Sequence, residues 1–219
     1  MKRYLTLIIT LLACTLAHSS QQQWHTHFAY NSVHVIALDQ EQVFAVANGK
    51  LFSVHQNTEQ ITIYTNLSGL HGTDIAQIAQ DTARSQTLIV YSDGKIDIRL
   101  QNGHMRYIPD LYNKQLTTAK TCHNITIHQN MAYLSMDFGI ITLDLEQYEI
   151  VDTYYIGAQA KEVQVVDILI HGDSIYAKDA QNAVYAAHLQ DNIVDYRFWT
   201  KYTQHPAPFD LQKGQVCVS

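Results

Sequence analysis

From residue 33 onward the chain alternates between short apolar bursts and clusters of Gly, Asn, Asp and Ser, the pattern of brief strands joined by tight turns. Lys95 to Leu100 alternates strictly, setting Ile96, Ile98 and Leu100 on one face and Lys95, Asp97 and Arg99 on the other, which predicts a half-buried strand. A glycine precedes this strand and follows the apolar run Leu88 to Tyr91, where a tight turn needs positive φ. The same hairpin signal follows Val43 to Ala47 and Met131 to Ser135. Earlier strands are predicted at Val33 to Leu38, Ile125 to His128 and Val165 to Ile170. Later ones are predicted at Ile61 to Tyr64, Met105 to Ile108, Ile150 to Tyr155 and Ile193 to Trp199. Asp74 to Asp81 carries Ile75, Ile78 and Ala79 at helix-like spacing and is assigned to a strand only by its place in the series.

That series is a repeat. Gly49, Gly94 and Gly139 recur every 45 residues, Ala183 takes the fourth place 44 residues on, and Ile150-Val151-Asp152 returns as Ile193-Val194-Asp195. Four antiparallel strands in roughly 40 to 45 residues define a β-propeller blade. The expected fold class is therefore all-β, a β-propeller with four four-stranded blades at about 33-66, 75-113, 124-157 and 165-202, and the start of another at 209-219. Because a closed ring removes exposed strand edges, the four blades are expected to be part of a larger ring of about seven. Trp24 to Tyr30 resembles Trp199 to Tyr202 and is expected to pair with the last blade of that ring.

The first residues read differently. Met1, Lys2 and Arg3 precede a nearly unbroken apolar run from Tyr4 to Leu16, after which the chain turns polar, so residues 1-19 read as a secretory signal peptide and 20-219 as the propeller domain. The run is shorter than the roughly 20 residues a membrane-spanning helix needs. Ala17-His18-Ser19 suggests cleavage before Ser20 or Gln21, with Leu11-Leu12-Ala13-Cys14 as a rival lipoprotein box. The implied route crosses the inner membrane to the periplasm or the outer-membrane surface.

Composition adds exclusions. In 219 residues, 14 Lys and Arg stand against 20 Asp and Glu, a net charge of −6, so no nucleic-acid partner is expected. Three cysteines, Cys14, Cys122 and Cys217, do not make a disulfide framework, and the last two read as small buried hydrophobes. Among 12 histidines, the pairs His25 with His27 and His123 with His128 lack a third ligand at a recognised metal spacing. Asp81, Asp93, Asp137, Asp152, Asp167, Asp173 and Asp195 lie among turns, and Asp152 and Asp195 read as equivalent positions serving the repeat. No phosphate-cradling loop or nucleophile elbow occurs. Asn66-Leu67-Ser68 and Asn124-Ile125-Thr126 match the glycosylation triplet, and Tyr154, Tyr155, Phe198 and Trp199 read as packing between blades. No catalytic, cofactor-binding or metal residue is assigned, no cofactor is expected, and the protein reads as a non-enzyme.

A resemblance extends this reading. Trp24 to Asn31, Gly49 to Val54, the link Asn66 to Ile75, Ala132 to Ile140 and Glu149 to Gly157 occur in an order similar to the N-terminal β-propeller of the PorZ family of the type IX secretion system. The resemblance implies a non-enzymatic subunit of a cell-surface attachment complex that works with the sortase PorU, with PorV and with PorQ to join cargo to anionic lipopolysaccharide. It also implies a second propeller and a C-terminal β-sandwich, absent from these 219 residues, through which any lipopolysaccharide contact would run. Ser68-Gly69-Leu70 followed by Ile75 is also similar to the blade links of two-component regulator propellers, which sense sugars in the periplasm. A propeller glycoside hydrolase or lyase is the third reading.

Overall fold

A computed structural model describes residues 32–202. It contains sixteen strands in four separate sheets. The first holds β1 (Val33–Leu38), β2 (Gln42–Ala47), β3 (Lys50–His55) and β4 (Ile61–Ile63). The second holds β5 (Ile75–Asp81), β6 (Gln86–Tyr91), β7 (Ile96–Arg99) and β8 (Met105–Ile108). The third holds β9 (Cys122–His128), β10 (Met131–Met136), β11 (Gly139–Asp144) and β12 (Glu149–Tyr154). The fourth holds β13 (Val165–His171), β14 (Ser174–Asp179), β15 (Val184–His188) and β16 (Thr200–Tyr202). Each sheet is an antiparallel meander in chain order, and the first strands β1, β5, β9 and β13 stand side by side around the hub. This is the expected all-β propeller architecture of four four-stranded blades.

The hairpins are set by their turn residues. At Asn48 (φ 50°) and Gly49 (φ 71°) both turn positions are left-handed, the requirement of the two-residue turn that matches strand twist. The fourth blade has Ala183 where the others have glycine, and its left-handed residue is instead Asn182 (φ 65°). Asp179 completes that turn by accepting the Gln181 and Ala183 N–H groups at 2.9 and 2.8 Å.

Burial runs between blades. Phe44, Val46 and Leu51 of the first blade pack on Ile75, Ile78 and Ile89 of the second. Leu88, Ile96 and Ile98 of the second meet Leu134, Met136, Ile141 and Leu143 of the third. Tyr133, Ile140 and Tyr154 of the third meet Ile168, Ile175 and Tyr185 of the fourth. Each fully buried aliphatic side chain stabilises the fold by roughly 1.5–3 kcal/mol relative to exposure. On the outer side of the first blade, Ala45, Ala47 and Phe52 form a smaller cluster, while Ile36 and Leu38 are 60% exposed. Cationic side chains bridge neighbouring blades over aromatic faces: Arg99 lies 5.4 Å from the Phe44 ring centre, and Arg106 lies 5.4 Å from that of Tyr148.

All four first strands carry a register shift next to their second residue, which falls at His34, Ala76, His123 and Val166. Such a bulge adds one unpaired residue and sharpens the local twist. It also accounts for the helix-like spacing of Ile75 and Ile78, since the extra residue brings both to the same buried side, at 3% and 5% exposure. The segment is strand β5.

One strand expectation needs correction. Ile193 to Trp199 is not the last strand of the fourth blade: it folds into turns around a 3-10 turn at Tyr196–Phe198, and the strand comes afterwards as β16. Asp195 is the reason, because its side chain caps the turn by accepting the Arg197 N–H at 3.0 Å and also pairs with the Arg197 guanidinium. Trp199 then anchors the segment, 8% exposed, with Nε1–H donating to the Ile193 carbonyl at 2.8 Å. Asp152, by contrast, lies in β12 opposite Thr142, so Asp152 and Asp195 are not equivalent.

Candidate functional site

Polar side chains form three clamps along the blade boundaries. The first is built by the link between blades one and two. Thr65 caps a 3-10 turn at Asn66–Ser68, its hydroxyl accepting the Leu67 N–H at 3.2 Å, and Ser68 Oγ accepts the Thr65 N–H at 3.3 Å. The chain then buries Leu70 and delivers His71 to strand β7. There the Asp97 carboxylate, fully buried, accepts the His71 N–H at 2.8 Å, the Tyr91 hydroxyl at 2.6 Å, and lies 2.8 Å from His71 Nδ1. The His71 ring stacks on Tyr107, with centres 4.3 Å apart. Burial first, and the Asp97 carboxylate second, push the Tyr91 phenol far above its ordinary range, so it stays a donor.

The second clamp joins blades three and four. Asp137 lies 2.8 Å from His123 Nε2 and accepts Gln164 Nε2–H at 2.7 Å and the Thr121 N–H at 3.2 Å. Burial pushes the Asp137 carboxyl up, but the hydrogen bonds from His123, Thr121 and Gln164 together outweigh it and hold the group below its ordinary 3.8. Around the hub, Gln77 donates to the His123 carbonyl at 2.7 Å, Asn124 to Asp167 at 2.7 Å, and Thr126 to the Ile168 carbonyl at 2.7 Å. Side chains therefore tie β5 to β9 and β9 to β13.

The third clamp holds blade two to blade three. Asp81, 2% exposed, accepts the Ala83 N–H, Arg84 Nη1–H and Gln86 Nε2–H, each at 3.1 Å. Gln86 also donates to the Leu145 carbonyl at 3.0 Å, and Arg84 pairs with Glu146.

Chemically these are joints. A histidine beside a carboxylate is half of a nucleophile-activating relay, but among the described residues neither His71 nor His123 hydrogen-bonds a serine, threonine or cysteine side chain. The seven aspartates singled out from sequence are dispersed. Asp81 and Asp137 sit in different clamps, Asp93 accepts the Lys95 N–H at 3.1 Å, and Asp167 and Asp195 are engaged as described. Asp152 and Asp173 lie on the groove between blades three and four. Among the described residues no group of three His, Cys, Asp or Glu is placed to hold a metal ion. His128 does not join His123, and His25 and His27 lie outside the described residues. Cys122 is a free thiol whose pKa is raised by burial, while Cys14 and Cys217 lie outside the described residues.

Both glycosylation triplets use their amides internally, Asn66 on the Leu70 carbonyl at 2.9 Å and Asn124 on Asp167. Tyr154 and Trp199 pack together with ring centres 6.3 Å apart, Tyr155 lies 6.3 Å from Phe138, and Phe198 remains 42% exposed. Asp97 was missed. Its place in an alternating strand points it to solvent, and only the preceding Gly69-Leu70-His71-Gly72 link, which must fold back onto the next blade, hints at a buried partner.

The comparisons with known proteins concern this same blade region. The family model for the PorZ N-terminal β-propeller domain of the type IX secretion system matches residues 43–200. Porphyromonas gingivalis PorZ, described as an essential bacterial surface component of that system, superposes with TM-score 0.71 at 29% identity, over 78% of this chain and 22% of its own. The extracellular domain of a hybrid two-component system of B. thetaiotaomicron superposes with TM-score 0.59 at 15% identity, over 74% and 21%. The designed protein Ika8 does so with TM-score 0.57 at 12% identity, over 79% and 49%. These last two share the fold. No curated protein sequence matches the chain. The chain spans about a fifth of the length of PorZ. Its blades, their order and their spacing place it in the family of PorZ N-terminal β-propeller domains, components of the type IX secretion system.

Proposed function

We propose that this chain serves, without catalysing a reaction, in a cell-surface attachment complex of the type IX secretion system. In this reading it helps a sortase join cargo proteins to anionic lipopolysaccharide, with PorU, PorV and PorQ as its protein partners. The observation that carries the reading is the PorZ family match across residues 43–200, supported by the likeness to the P. gingivalis protein. The clamps agree with it, since the Asp81, Asp97 and Asp137 carboxylates are engaged in holding blades together. Residues 1-19 direct export across the inner membrane, and residues 20-219 contribute to an N-terminal ring of about seven blades. Lipopolysaccharide contact then belongs to a further domain.

The test is a tagged chromosomal copy in the source bacterium, with surface-exposed protein recovered by affinity and probed for the sortase. Recovery of the sortase at the outer membrane, and loss of cargo attachment when the gene is deleted, support the proposal. Recovery only with inner-membrane kinases would overturn it in favour of the sugar-sensing reading.

A further inference from the structure

The turn between β9 and β10, the turn between β13 and β14, and the segment after β15 gather at one end of blades three and four. Between them lies a groove of about 650 Å³. Its wall on the third blade is a cross-strand row, because Tyr133 of β10 pairs with Thr142 of β11 and Thr142 pairs with Asp152 of β12. Tyr133 and Asp152 therefore project from one face of the sheet, and both line the groove.

Tyr133 is 7% exposed, and its hydroxyl makes no hydrogen bond to another described residue. The hydroxyl is not among the sealed, unpartnered polar atoms of the described residues, so the buried ring presents its oxygen to the groove, where a polar group can reach it. Its neighbour Asp152 spends its backbone N–H on Thr142 Oγ1 at 3.1 Å, but its carboxylate has no hydrogen bond or ion pair among the described residues. The Asp173 and Asp191 carboxylates, on the opposite walls, are likewise unpaired there, and no lysine or arginine lines the groove. Met131, Leu189 and Ile193 supply apolar lining beneath these charges. The negative groups do not converge as a metal site requires. They are spread along the groove, which suits an extended cation with an apolar stem rather than a point charge.

We propose that this groove is a docking site for a basic peptide segment of a protein partner. An arginine or lysine side chain lays its alkyl stem over Met131, Leu189 and Ile193. The charged heads of successive basic residues pair with Asp152 beside the Tyr133 hydroxyl on one wall and with Asp191 on the other. The site is independent of the attachment role proposed above and stands or falls on the groove alone.

The test is fluorescence anisotropy of a fluorescein-labelled (Gly-Arg)4 peptide titrated with the full chain, with (Gly-Glu)4 and maltotriose as comparison ligands. Saturable binding of the basic peptide is expected, weakening about tenfold or more from low to moderate salt as exposed charges are screened. Asp191→Asn and Asp152→Asn are each expected to weaken it about fivefold. Tyr133→Phe, which changes no charge and keeps the packing ring, is expected to weaken it about threefold and so separates the groove from general attraction to an acidic protein. Glu41→Gln, on the first blade, leaves the affinity unchanged. Melting temperatures of all four variants, measured alongside, establish that each is folded. The proposal is overturned by absence of saturable binding at millimolar chain concentration. Equal weakening by Glu41→Gln, unaltered binding by Tyr133→Phe, or preferential binding of maltotriose would overturn it as well.

Discussion

Asp97 shows how one residue can fasten a blade. Its buried carboxylate takes three donors or partners from two chain segments, so Asp97→Ala would strand the Tyr91 hydroxyl and the His71 amide. A loss of roughly 3 kcal/mol is expected, the scale found when one member of a buried polar cluster is removed. Urea unfolding followed by tyrosine and tryptophan fluorescence would measure it, and a loss below about 1 kcal/mol would mean that the cluster does not hold the link. Asp137 gives a pH dependence whose direction can be worked out. Its folded pKa lies below the ordinary 3.8, so its stabilisation is complete above that value and is lost as pH falls toward and through the folded pKa. The midpoint of unfolding should therefore drop as the pH is taken below about 4, and Asp137→Asn should flatten part of that drop. Neither role was legible from sequence. Alternation separates two faces of a strand, but in a propeller neighbouring blades cover both, so Asp97 on the polar face of β7 is as buried as Ile96 and Ile98, while Arg99 is half-buried.

At the scale of elements, most strands could be read from apolar bursts and turn residues, and the exceptions have physical causes. The bulge in β5 imposed a spacing of three on Ile75 and Ile78, which imitates a helix until the partner strand is seen. The Ile193 to Trp199 segment has the apolar and aromatic content of a strand, yet Asp195 turns it aside and Trp199 pins it to the core. The hairpin into β11 was legible through Gly139, and the structure adds a reason beyond the turn. Gly139 has φ 148°, and a Cβ there would stand 2.2 Å from the Tyr154 carbonyl oxygen of the adjacent strand. Gly139→Ala is therefore expected to cost about 3 kcal/mol, more than a strained turn alone, because backbone must move to admit the methyl group. Thermal unfolding would register this as a lower melting temperature, and an unchanged one would mean that β11 and β12 can separate freely.

For the whole molecule, the four blades of the described residues and their repeat length were legible because the period is carried by glycines and apolar bursts. The joints between blades were not, since a one-dimensional repeat says nothing about which polar groups meet. Each large core belongs to two consecutive blades, so damage in one boundary should stay near it. The bulged first strands have a consequence for solvent access. They stand side by side at the hub, yet among the described residues no ladder joins one to the next, and side-chain bonds such as Gln77 to His123 bridge them instead. Apart from Ile75, whose N–H donates to the Gly49 carbonyl at 3.0 Å, alternate amides of β5 and β9 have no ladder partner on the axial side among the described residues, whereas β6 and β10 are paired on both sides. In deuterium exchange followed by mass spectrometry, label should enter the axial strands ahead of their immediate neighbours, making the geometric centre one of the wettest parts of the backbone.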